Sequence, residues 1–309
     1  MKEWIKIFAP ATIAGVGPGF DILGFAVSEP GDIVEARKTA EPGVKIVEIT
    51  GDNGKLPLDA EKNTAGVGAL EVLKTLGVKE GVEIKLHKNM PLGSGLGSSA
   101  ASSVAAAYAV NALFGNKIDK IDLIPACMKG EELACGAGHA DNVAPSMLGS
   151  FVIIRSYNPL DIISLPAPEN LVCVIVNPEY IVKTEDARVA VPKQVNLKDA
   201  VSNWGNVAAL IAALYKKDIK LLGKAINDKI VEPARAPLIP GFKEVKKAAL
   251  DAGAYGCSIS GSGPSIFAIT DSMEKGNDIG EAMQKAFENR GLKSTVYVSK
   301  VNTEGARFL

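Results

Sequence analysis

Residues 91–103 read PLGSGLGSSAASS, an uncharged run that is rich in glycine and serine. Such a run fills a core poorly, yet the segment after it, VAAAYAVNALF, favours a helix. Glycines let a backbone come close to a ligand, and a helix N-terminus offers unpaired N–H groups and partial positive charge to an anion. We therefore predict that residues 93–99 form a loop that holds a triphosphate, with the hydroxyls of Ser98 and Ser99 as added donors.

Two well-known glycine-rich motifs do not describe this loop. The pattern GxxxxGKS or GxxxxGKT fails because no lysine stands at the required place, and GxGxxG fails because Gly93 and Gly95 are followed by Ser98. A tight turn into a close-packed helix would need similar residues, so that alternative stays open. The density of serines and the position between a strand and a helix favour phosphate binding.

Two adjacent carboxylates, Glu131 and Glu132, lie in a helix predicted over 122–135. Glu131 recurs with apolar residues at steps of three or four, so it shares their face of the helix while Glu132 turns away. A carboxylate on an inner face needs a partner, because an unpaired buried charge is very costly. A buried salt bridge would supply that partner without any ligand. The apolar residues in this spacing are Ile121, Ile124, Met128 and Cys135.

Composition excludes several classes of protein. The chain has 309 residues, 47% hydrophobic and 22% charged, with a net charge of −1, so we expect a globular protein without a basic surface for nucleic acid. No apolar stretch approaches the roughly 18 residues of a membrane span, and the N-terminus lacks the apolar core of a signal peptide. The four cysteines show no CxxC spacing, which predicts neither a disulfide framework nor a zinc site. We expect a cytoplasmic protein of two domains.

The predicted order of strands and helices shows which elements flank the loop and where the chain divides into two domains. GVEIKLHK alternates like a strand just before the loop, and residues 98–114 are predicted as the helix after it. The stretch 156–170 is rich in proline and asparagine, which is typical of a crossing between domains. In the second half, the order of elements predicts an α+β sandwich with helices on one face of an antiparallel sheet.

Four stretches of the chain together resemble one family. They are APATIAGVGPGFDILGFAV (9–27), the loop PLGSGLGSSAASS, GHADNVAPSMLGSF (138–151) and SISGSGPSIFA (258–268). In this order, and over essentially the full length, they resemble the motifs of the GHMP kinases, and GPGFD followed by HADNVAP is similar to the homoserine kinase family within them. The sequence lacks the Gly-Glu-His motif of the galactokinase and mevalonate kinase branches.

The resemblance implies a fold and an activity. The fold is the two-domain GHMP kinase fold of the α+β class, with an N-terminal, ATP-binding ribosomal-protein-S5-domain-2-like α/β domain over 1–165 and a ferredoxin-like α+β sandwich over 166–309. The activity is transfer of the γ-phosphoryl group of ATP to the side-chain hydroxyl of L-homoserine, on the route to threonine, with Mg²⁺ required. Members of the family are often homodimers. Two alternatives stay open, namely another small hydroxylated metabolite as acceptor and a non-catalytic protein of the same fold.

The resemblance also implies the nucleotide-binding residues. Asn63 and Lys88 fall near adenine-side positions, and Gly261 and Gly263 form a turn that packs against the loop. Glu131 lies at the magnesium position with Ser98 as its companion ligand, and an intact metal site counts against a pure binding protein. The loop residues expected to bind ATP are Pro91, Leu92, Gly93, Ser94, Gly95, Leu96, Gly97, Ser98, Ser99, Ala100 and Ala101.

The acceptor side is implied in the same way. Arg188 and Arg235 match the two arginines that bind the substrate carboxylate, with Thr184 beside the first. Arginine suits this task because its planar fork donates two parallel hydrogen bonds to a carboxylate. Asp21 is the expected counter-charge of the ammonium group, and His139 belongs to the loop on the substrate side.

The transfer step is assigned to Asn142, Asp141, Glu131 and Ser98. Asn142 is the expected contact of the acceptor hydroxyl, whereas Asp141 stays open between a general base and a structural role. One residue departs from the family, because homoserine kinases commonly have Ala-Asn-Leu-Gly where this chain has AGVG at 14–17. Gly15 thus lacks an asparagine side chain that would touch the acceptor, which concerns the choice of acceptor more than the kinase chemistry.

Overall fold

The computed structural model of the chain describes residues 3–309; the side chain of Cys135, which the periodicity places on the apolar face of its helix, lies outside this description. The strands in this range are β1 (Ile5–Gly15), β2 (Gly19–Thr39), β3 (Val44–Thr50), β4 (Gly81–His87), β5 (Phe151–Tyr157), β6 (Leu160–Leu165), β7 (Val172–Pro178), β8 (Gly256–Ile259), β9 (Ile266–Thr270), β10 (Ser294–Lys300) and β11 (Arg307–Phe308). The α-helices are α1 (Thr64–Leu76), α2 (Ser98–Leu113), α3 (Lys120–Cys135), α4 (Ala140–Leu148), α5 (Thr184–Val189), α6 (Leu197–Lys216), α7 (Ile219–Ala225), α8 (Val231–Arg235), α9 (Phe242–Asp251) and α10 (Met273–Glu288).

The first sheet is built around one long strand. β2 runs through two stretches, ILGFAV (22–27) and DIVEAR (32–37), each of which has by itself the sequence pattern of a separate short strand. Its length lets it pair with β1 along one edge and with β4 and β5 along the other. β6 extends the sheet beyond β5, and β3 lies parallel to β4. One strand therefore carries Asp21 and Asp32 to two different parts of the molecule.

Helix α2 is surrounded by protein. It packs against α1, α3, α4 and the strands β1 and β2, and its alanine-rich surface is buried. Gly68 of α1 and Gly130 of α3 approach Ser103 so closely that a Cβ on either glycine would meet the serine hydroxyl. Small residues on all three helices therefore fix α2 tightly, and with it the loop that precedes it.

The second sheet has antiparallel strands in the order β10-β7-β9-β8. Along β7, Val174 and Val176 belong to a cluster with α9 and α10, whereas Cys173 and Ile175 belong to the larger core together with α6 and α7. Helices α9 and α10 therefore cover one face, as the order of elements predicts, and the other face packs into the larger core, where Phe267 of β9 meets Phe25 of β2. A strand that is buried on both faces shows no polar alternation, so its sequence does not reveal that the second face is covered.

The connection between the sheets is shorter than the sequence indicates. The stretch 156–170, predicted as a crossing, contains β6, which pairs with β5 and limits the crossing to 166–171. A domain boundary after residue 165 coincides with the end of β6 and stays a prediction. The chain then returns to the first sheet, because β11 pairs with β1 and Val301 forms a bridge with Val27.

Three cysteines are buried free thiols, namely Cys127, Cys173 and Cys257. Burial raises the pKa of each thiol well above its ordinary value, which keeps these side chains in the unreactive protonated form. Within residues 3–309, the helices are all too short or too polar to span a bilayer.

Candidate functional site

The three glycines of the loop have positive φ angles but different surroundings. A Cβ at Gly95 would lie 2.5 Å from the carbonyl oxygen of Ser260, and one at Gly97 would meet the hydroxyl of Thr12. A Cβ at Gly93 would instead have only a side-chain atom of Ile181, at 3.4 Å, within 4 Å. The second and third glycines are therefore needed because the loop packs on protein. The first lies on the open side, where a ligand can approach the backbone.

A glycine turn at residues 260–265 supports the loop. The Ser260 hydroxyl donates to the Gly95 carbonyl oxygen at 2.8 Å, and the Ser265 amide donates to the Ser94 carbonyl oxygen at 3.2 Å. The Gly261 amide donates to the Ala14 carbonyl oxygen at 3.1 Å, which joins the turn to β1. Gly261 and Gly263 thus lie in the turn beside the loop, where the sequence analysis expects them.

A buried ion pair lies beneath the start of α2. The Lys88 ammonium contacts the Asp32 carboxylate, and it donates to the hydroxyls of Ser98 and Ser102 at 2.5 and 2.7 Å and to the Ser98 carbonyl oxygen at 2.9 Å. The side chains of Lys88 and Asp32 are 2% and 0% exposed, so neither charge is free to meet a ligand directly. Lys88 nevertheless lines the same cavity as Asn63, so its place on the adenine side stays a prediction, although its ammonium group is held by protein partners.

Glu131 points inward, as its periodicity predicts, but it is paired with a different serine. The Ser99 hydroxyl lies 2.9 and 2.8 Å from the two carboxylate oxygens of Glu131. Glu131 is buried, whereas Glu132 is exposed and paired with Lys129. The Ser98 hydroxyl faces Lys88 and Asp32 on the other side of the helix N-terminus, and its role as the companion ligand of the metal stays a prediction.

Arg188 and Asp21 are bonded to each other. The two terminal guanidinium nitrogens of Arg188 donate to the two carboxylate oxygens of Asp21 at 3.1 and 2.9 Å. The Phe20 ring lies 5.5 Å from the guanidinium carbon of Arg188 and 4.9 Å from that of Arg235. Arg188 and Asp21 are predicted to bind the opposite charges of one substrate. In this structure each of them neutralises the other.

Arg235 is more buried than Arg188 and joins two segments of backbone. Its Nε donates to the Ala187 carbonyl oxygen at 3.0 Å, and a terminal nitrogen donates to the Gly261 carbonyl oxygen at 2.9 Å. Burial, and then the neighbouring charge of Arg188, lower the pKa of Arg235. Thr184 lies with its hydroxyl 3.5 Å from that of Ser262. Arg235 thereby fixes α5 against the glycine turn.

Asp141 and Asn142 occupy the first turn of α4, in a stretch that the sequence analysis treats as a loop. The Thr12 hydroxyl donates to Asn142 Oδ1 at 2.9 Å, which orients the amide group. Asp141 is buried, and its Oδ1 has no hydrogen-bond partner. Burial, and then the nearby charge of Asp21, raise the pKa of Asp141 to about 7. This carboxyl group can therefore gain or lose a proton near neutral pH.

One cavity of about 370 Å³ brings most of the predicted residues together. It is lined by the loop, by Glu131 and by the charged groups around Arg188 and Arg235, and Leu56 and Leu133 add an apolar wall next to Asn63. Asn63 also caps α1, with Oδ1 accepting from the Ala65 amide. Leu96, Ala100 and Ala101 are fully buried in the core, so their predicted contact with ATP can involve only the backbone; with Pro91 and Gly263 they do not line the cavity.

Several residues that contribute to this site were not predicted from the sequence. Thr12 and Asp32 lie in strands where nothing in the local pattern marks them as functional. Phe20 stands inside the GPGFD motif, so its neighbour Asp21 is a signal that could have identified it. Gly15 lines the cavity with a φ of +83°, and nothing lies within 4 Å of a Cβ built on it. Gly15, which stands where homoserine kinases commonly have an asparagine, therefore leaves open space in the cavity.

Comparisons with known proteins agree with this geometry. The family of GHMP kinases matches in two parts, the N terminal domain at residues 63–150 and the C terminal part at residues 210–289. The homoserine kinase of Chlorobium phaeovibrioides is 50% identical, with 99% of each chain covered. The homoserine kinase of Arabidopsis thaliana is 48% identical over 99% of this chain and 84% of its own.

A solved structure supports the same relation. The crystal structure of homoserine kinase from Cytophaga hutchinsonii superposes with a TM-score of 0.97 at 57% identity, and the match covers 100% of this chain and 98% of that one. The two-domain α+β fold expected from the motifs is thereby confirmed.

Proposed function

The chain belongs to the homoserine kinase family of the GHMP kinases, and we propose that it transfers the γ-phosphoryl group of ATP to the side-chain hydroxyl of L-homoserine, giving O-phospho-L-homoserine and ADP. The observation that carries this proposal is the single cavity in which the glycine loop lies beside two arginines and two aspartates. The loop suits the phosphates of a nucleotide. Opposite charges side by side suit an amino acid, which brings both a carboxylate and an ammonium group.

The nucleotide would occupy the loop side of the cavity. Its triphosphate fits the open face of Gly93 and the N-terminus of α2, where backbone N–H groups and the helix dipole favour an anion. The adenine ring fits the apolar wall of Leu56 and Leu133 beside Asn63. The Lys88–Asp32 pair lies behind the loop and would hold its shape rather than contact the phosphates.

The residues present fit Mg²⁺, which phosphoryl transfer of this class uses. Glu131 offers a buried carboxylate and Ser99 a hydroxyl, and oxygen ligands of this kind suit Mg²⁺. Residues 3–309 contain no group of three or more His, Cys, Asp or Glu that could hold a metal by themselves. Mg²⁺ commonly binds through one or two carboxylates plus substrate phosphates. Glu131 and Ser99 would hold the ion, which supplies neutralisation of charge on the phosphoryl oxygens.

The acceptor would replace the ion pair between Arg188 and Asp21. Its carboxylate would take the guanidinium fork and its ammonium group would take the Asp21 carboxylate, so that neither charge loses its partner. Arg235 adds positive charge beside the carboxylate. Asp141 offers a second carboxylate to the ammonium group, through the oxygen that has no hydrogen-bond partner within the protein.

Asn142 is the proposed contact of the acceptor hydroxyl. Because Thr12 occupies Oδ1, the amide nitrogen is the atom that would donate to the hydroxyl oxygen and orient it towards the γ-phosphorus. Phosphoryl transfer depends chiefly on alignment and charge neutralisation, so these contacts suffice without a strong base. Asp141 stays open as an acceptor of the hydroxyl proton, and its pH dependence separates that role from ammonium binding.

A coupled assay of ADP release tests the proposal. Purified protein with Mg·ATP would be offered L-homoserine, L-threonine, L-serine, mevalonate and galactose separately, and the phosphorylated product would be identified by ³¹P NMR. We expect turnover with homoserine well above that with the other acceptors. Preference for another acceptor would favour the second candidate, a kinase for a different small hydroxylated metabolite, which the open space at Gly15 motivates. No turnover with any acceptor would contradict the kinase proposal.

The wider context follows from the same proposal. O-phospho-L-homoserine places the reaction on the route to threonine, and buried free thiols agree with a reducing cytoplasmic compartment. A homodimer stays a prediction that sedimentation velocity would test.

A further inference from the structure

His139 lies between the acceptor side of the cavity and the phosphate side. Its Nε2 is 3.1 Å from Nε of Arg188, and its Nδ1 is 3.8 Å from Oε1 of Glu131. His139 and Glu131 are 8% and 4% exposed, so water screens these contacts little. The contacts form one continuous series, Asp21 to Arg188 to His139 to Glu131 to Ser99.

The partners of the imidazole fix its hydrogen positions. A guanidinium group has only donors, so Nε–H of Arg188 donates and Nε2 of His139 must accept through a lone pair. An imidazole with a lone pair on Nε2 carries its hydrogen on Nδ1, the nitrogen that faces Glu131. His139 therefore accepts from the arginine on one side and presents an N–H to the carboxylate on the other.

The contact of Arg188 with His139 uses a different edge of the guanidinium from its contact with Asp21. The terminal nitrogens hold Asp21, and these are the atoms that an amino-acid carboxylate would take. Nε is not involved in that exchange, so its hydrogen bond to His139 can persist while the partner of the fork changes. His139 can therefore stay bonded to Arg188 while the acceptor carboxylate replaces Asp21.

We infer that His139 is a positioning residue that couples acceptor binding to nucleotide binding. The inference rests on the proposed function, because it takes the acceptor carboxylate to bind Arg188 and the Mg·nucleotide to bind beside Glu131. One imidazole is bonded to Arg188 and lies 3.8 Å from Glu131, so we expect a ligand that orders one of these groups to order the other as well. Homoserine and Mg·nucleotide therefore strengthen each other's binding, and by linkage the two effects are equal.

Two substitutions separate the two sides of the imidazole. His139→Gln can place its amide oxygen near the position of Nε2 and keep an acceptor for Arg188, but it lacks a donor at the position of Nδ1. His139→Asn can place its amide nitrogen near Nδ1 and keep a donor for Glu131, but it lacks the acceptor for Arg188. Each variant interrupts the series at one contact and leaves the other in place.

Isothermal titration calorimetry with homoserine, in the absence and presence of Mg²⁺ and a non-hydrolysable ATP analogue, measures the coupling as a ratio of two Kd values. In the wild type we expect a ratio of at least about fivefold. His139→Gln should keep the Kd for homoserine alone within about twofold and reduce the ratio below about twofold. His139→Asn should weaken binding of homoserine alone by at least about fivefold and also lose the coupling.

The other histidine of the chain provides a matched control. His87 lies at the end of β4, bonded to Thr50 and near Glu35 and outside the cavity lining, so His87→Gln should keep the wild-type ratio. A wild-type ratio in His139→Gln would overturn the coupling role, as would equal weakening of both ligands together with a lowered melting temperature. Wild-type protein that phosphorylates homoserine with a ratio of one would overturn this inference alone. Wild-type protein that neither binds nor phosphorylates homoserine would overturn the proposed function as well.

Discussion

The glycine loop is held by hydrogen bonds to its backbone and by a fully buried ion pair, whereas the proposed amino-acid side of the cavity is held by an ion pair that is partly exposed. The loop joins β1 through the Thr12 amide and the Leu96 carbonyl oxygen at 3.0 Å, and it joins the glycine turn through Ser260 and Ser265. On the other side, the ion pair between Arg188 and Asp21 leaves a third of each side chain exposed, and Arg188 lies on α5, a helix of only six residues.

This difference indicates that the loop is preformed, whereas Arg188 and Asp21 can exchange each other for a ligand. Backbone bonds and close-packed glycines keep the loop in one shape whether or not a ligand is present. Ion pairs on a short helix can open when a ligand supplies equivalent charges. We therefore expect the phosphates to bind without rearrangement and the amino acid to bind by exchange. The predictions below test each side of this contrast.

The largest effect is expected from the ion pair beneath the loop. Lys88→Met leaves the Asp32 carboxylate buried without its partner, which should lower the free energy of unfolding by about 3–5 kcal/mol. Urea denaturation followed by fluorescence measures the change. Lys85→Met, three residues earlier on β4 and paired with Glu48 at the surface, should cost less than about 1 kcal/mol. Equal losses in the two variants would contradict the role of the buried pair in fixing the loop.

Glu131→Gln should reduce kcat by at least about 100-fold, because the charge that would hold Mg²⁺ is removed while the hydrogen bond with Ser99 can persist. The melting temperature should stay within about 2 °C of wild type. The matched variant Glu132→Gln changes an exposed neighbour and should keep full activity. A large loss of melting temperature in Glu131→Gln would instead identify a structural carboxylate.

Arg188→Ala tests the amino-acid side of the cavity. Loss of a bidentate contact to a carboxylate should raise the KM for homoserine about 10- to 100-fold. The Kd of Mg·ATP, measured without homoserine, should change less than about threefold, since the loop is fixed independently. Arg155→Ala provides a control, because that arginine is exposed and paired with Asp161. Equal weakening of both ligands would remove the contrast between the two sides.

Asp141 should make stability and homoserine binding respond to pH in opposite directions. Its folded pKa of about 7 lies above the ordinary value of 3.8, so between these values the folded chain keeps a proton that the unfolded chain has lost. The wild type should therefore lose stability as pH rises from 4 to 7, and Asp141→Asn should remove that loss and melt at least about 2 °C higher than the wild type at pH 8.

Homoserine binding tests the role of the same carboxylate. If Asp141 pairs with the ammonium group, the KM of the wild type falls as pH rises through 7 while kcat changes little, because the ionised form binds better. A base that accepts the hydroxyl proton would instead place the pH dependence in kcat. A pH-independent difference between wild type and Asp141→Asn would contradict the raised pKa.

Local patterns predicted the phosphate side well. The glycine and serine composition of 93–99 predicted a loop before a helix, and the spacing of Ile124, Met128 and Glu131 predicted an inward carboxylate. Both follow from residues only a few positions apart. The contact between Ser99 and Glu131 could not be predicted, because adjacent residues at a helix N-terminus point in different directions, and only the position of Lys88 and Asp32 decides which serine meets Glu131.

Long-range pairs were beyond the sequence. Asp32 lies 56 residues before Lys88, and Asp21 lies 167 residues before Arg188, so no periodicity connects either pair. The continuity of β2 was missed because Pro30 and Gly31 usually interrupt a strand, whereas here the strand continues between β1 on one side and β4 and β5 on the other. The helical start of α4 is hard to predict because the helix has only nine residues and contains Pro145.

The return of the chain to β1 constrains how the two sheets can move. The second sheet and its helices are tethered to the first sheet by 166–171 on one side and by the segment after β10 on the other. The sheets also share one core, because Phe25 of β2 packs edge-on against Phe267 of β9 with the ring centroids 6.2 Å apart. Two covalent crossings and a common core therefore oppose separation of the sheets, on which the shape of the cavity depends.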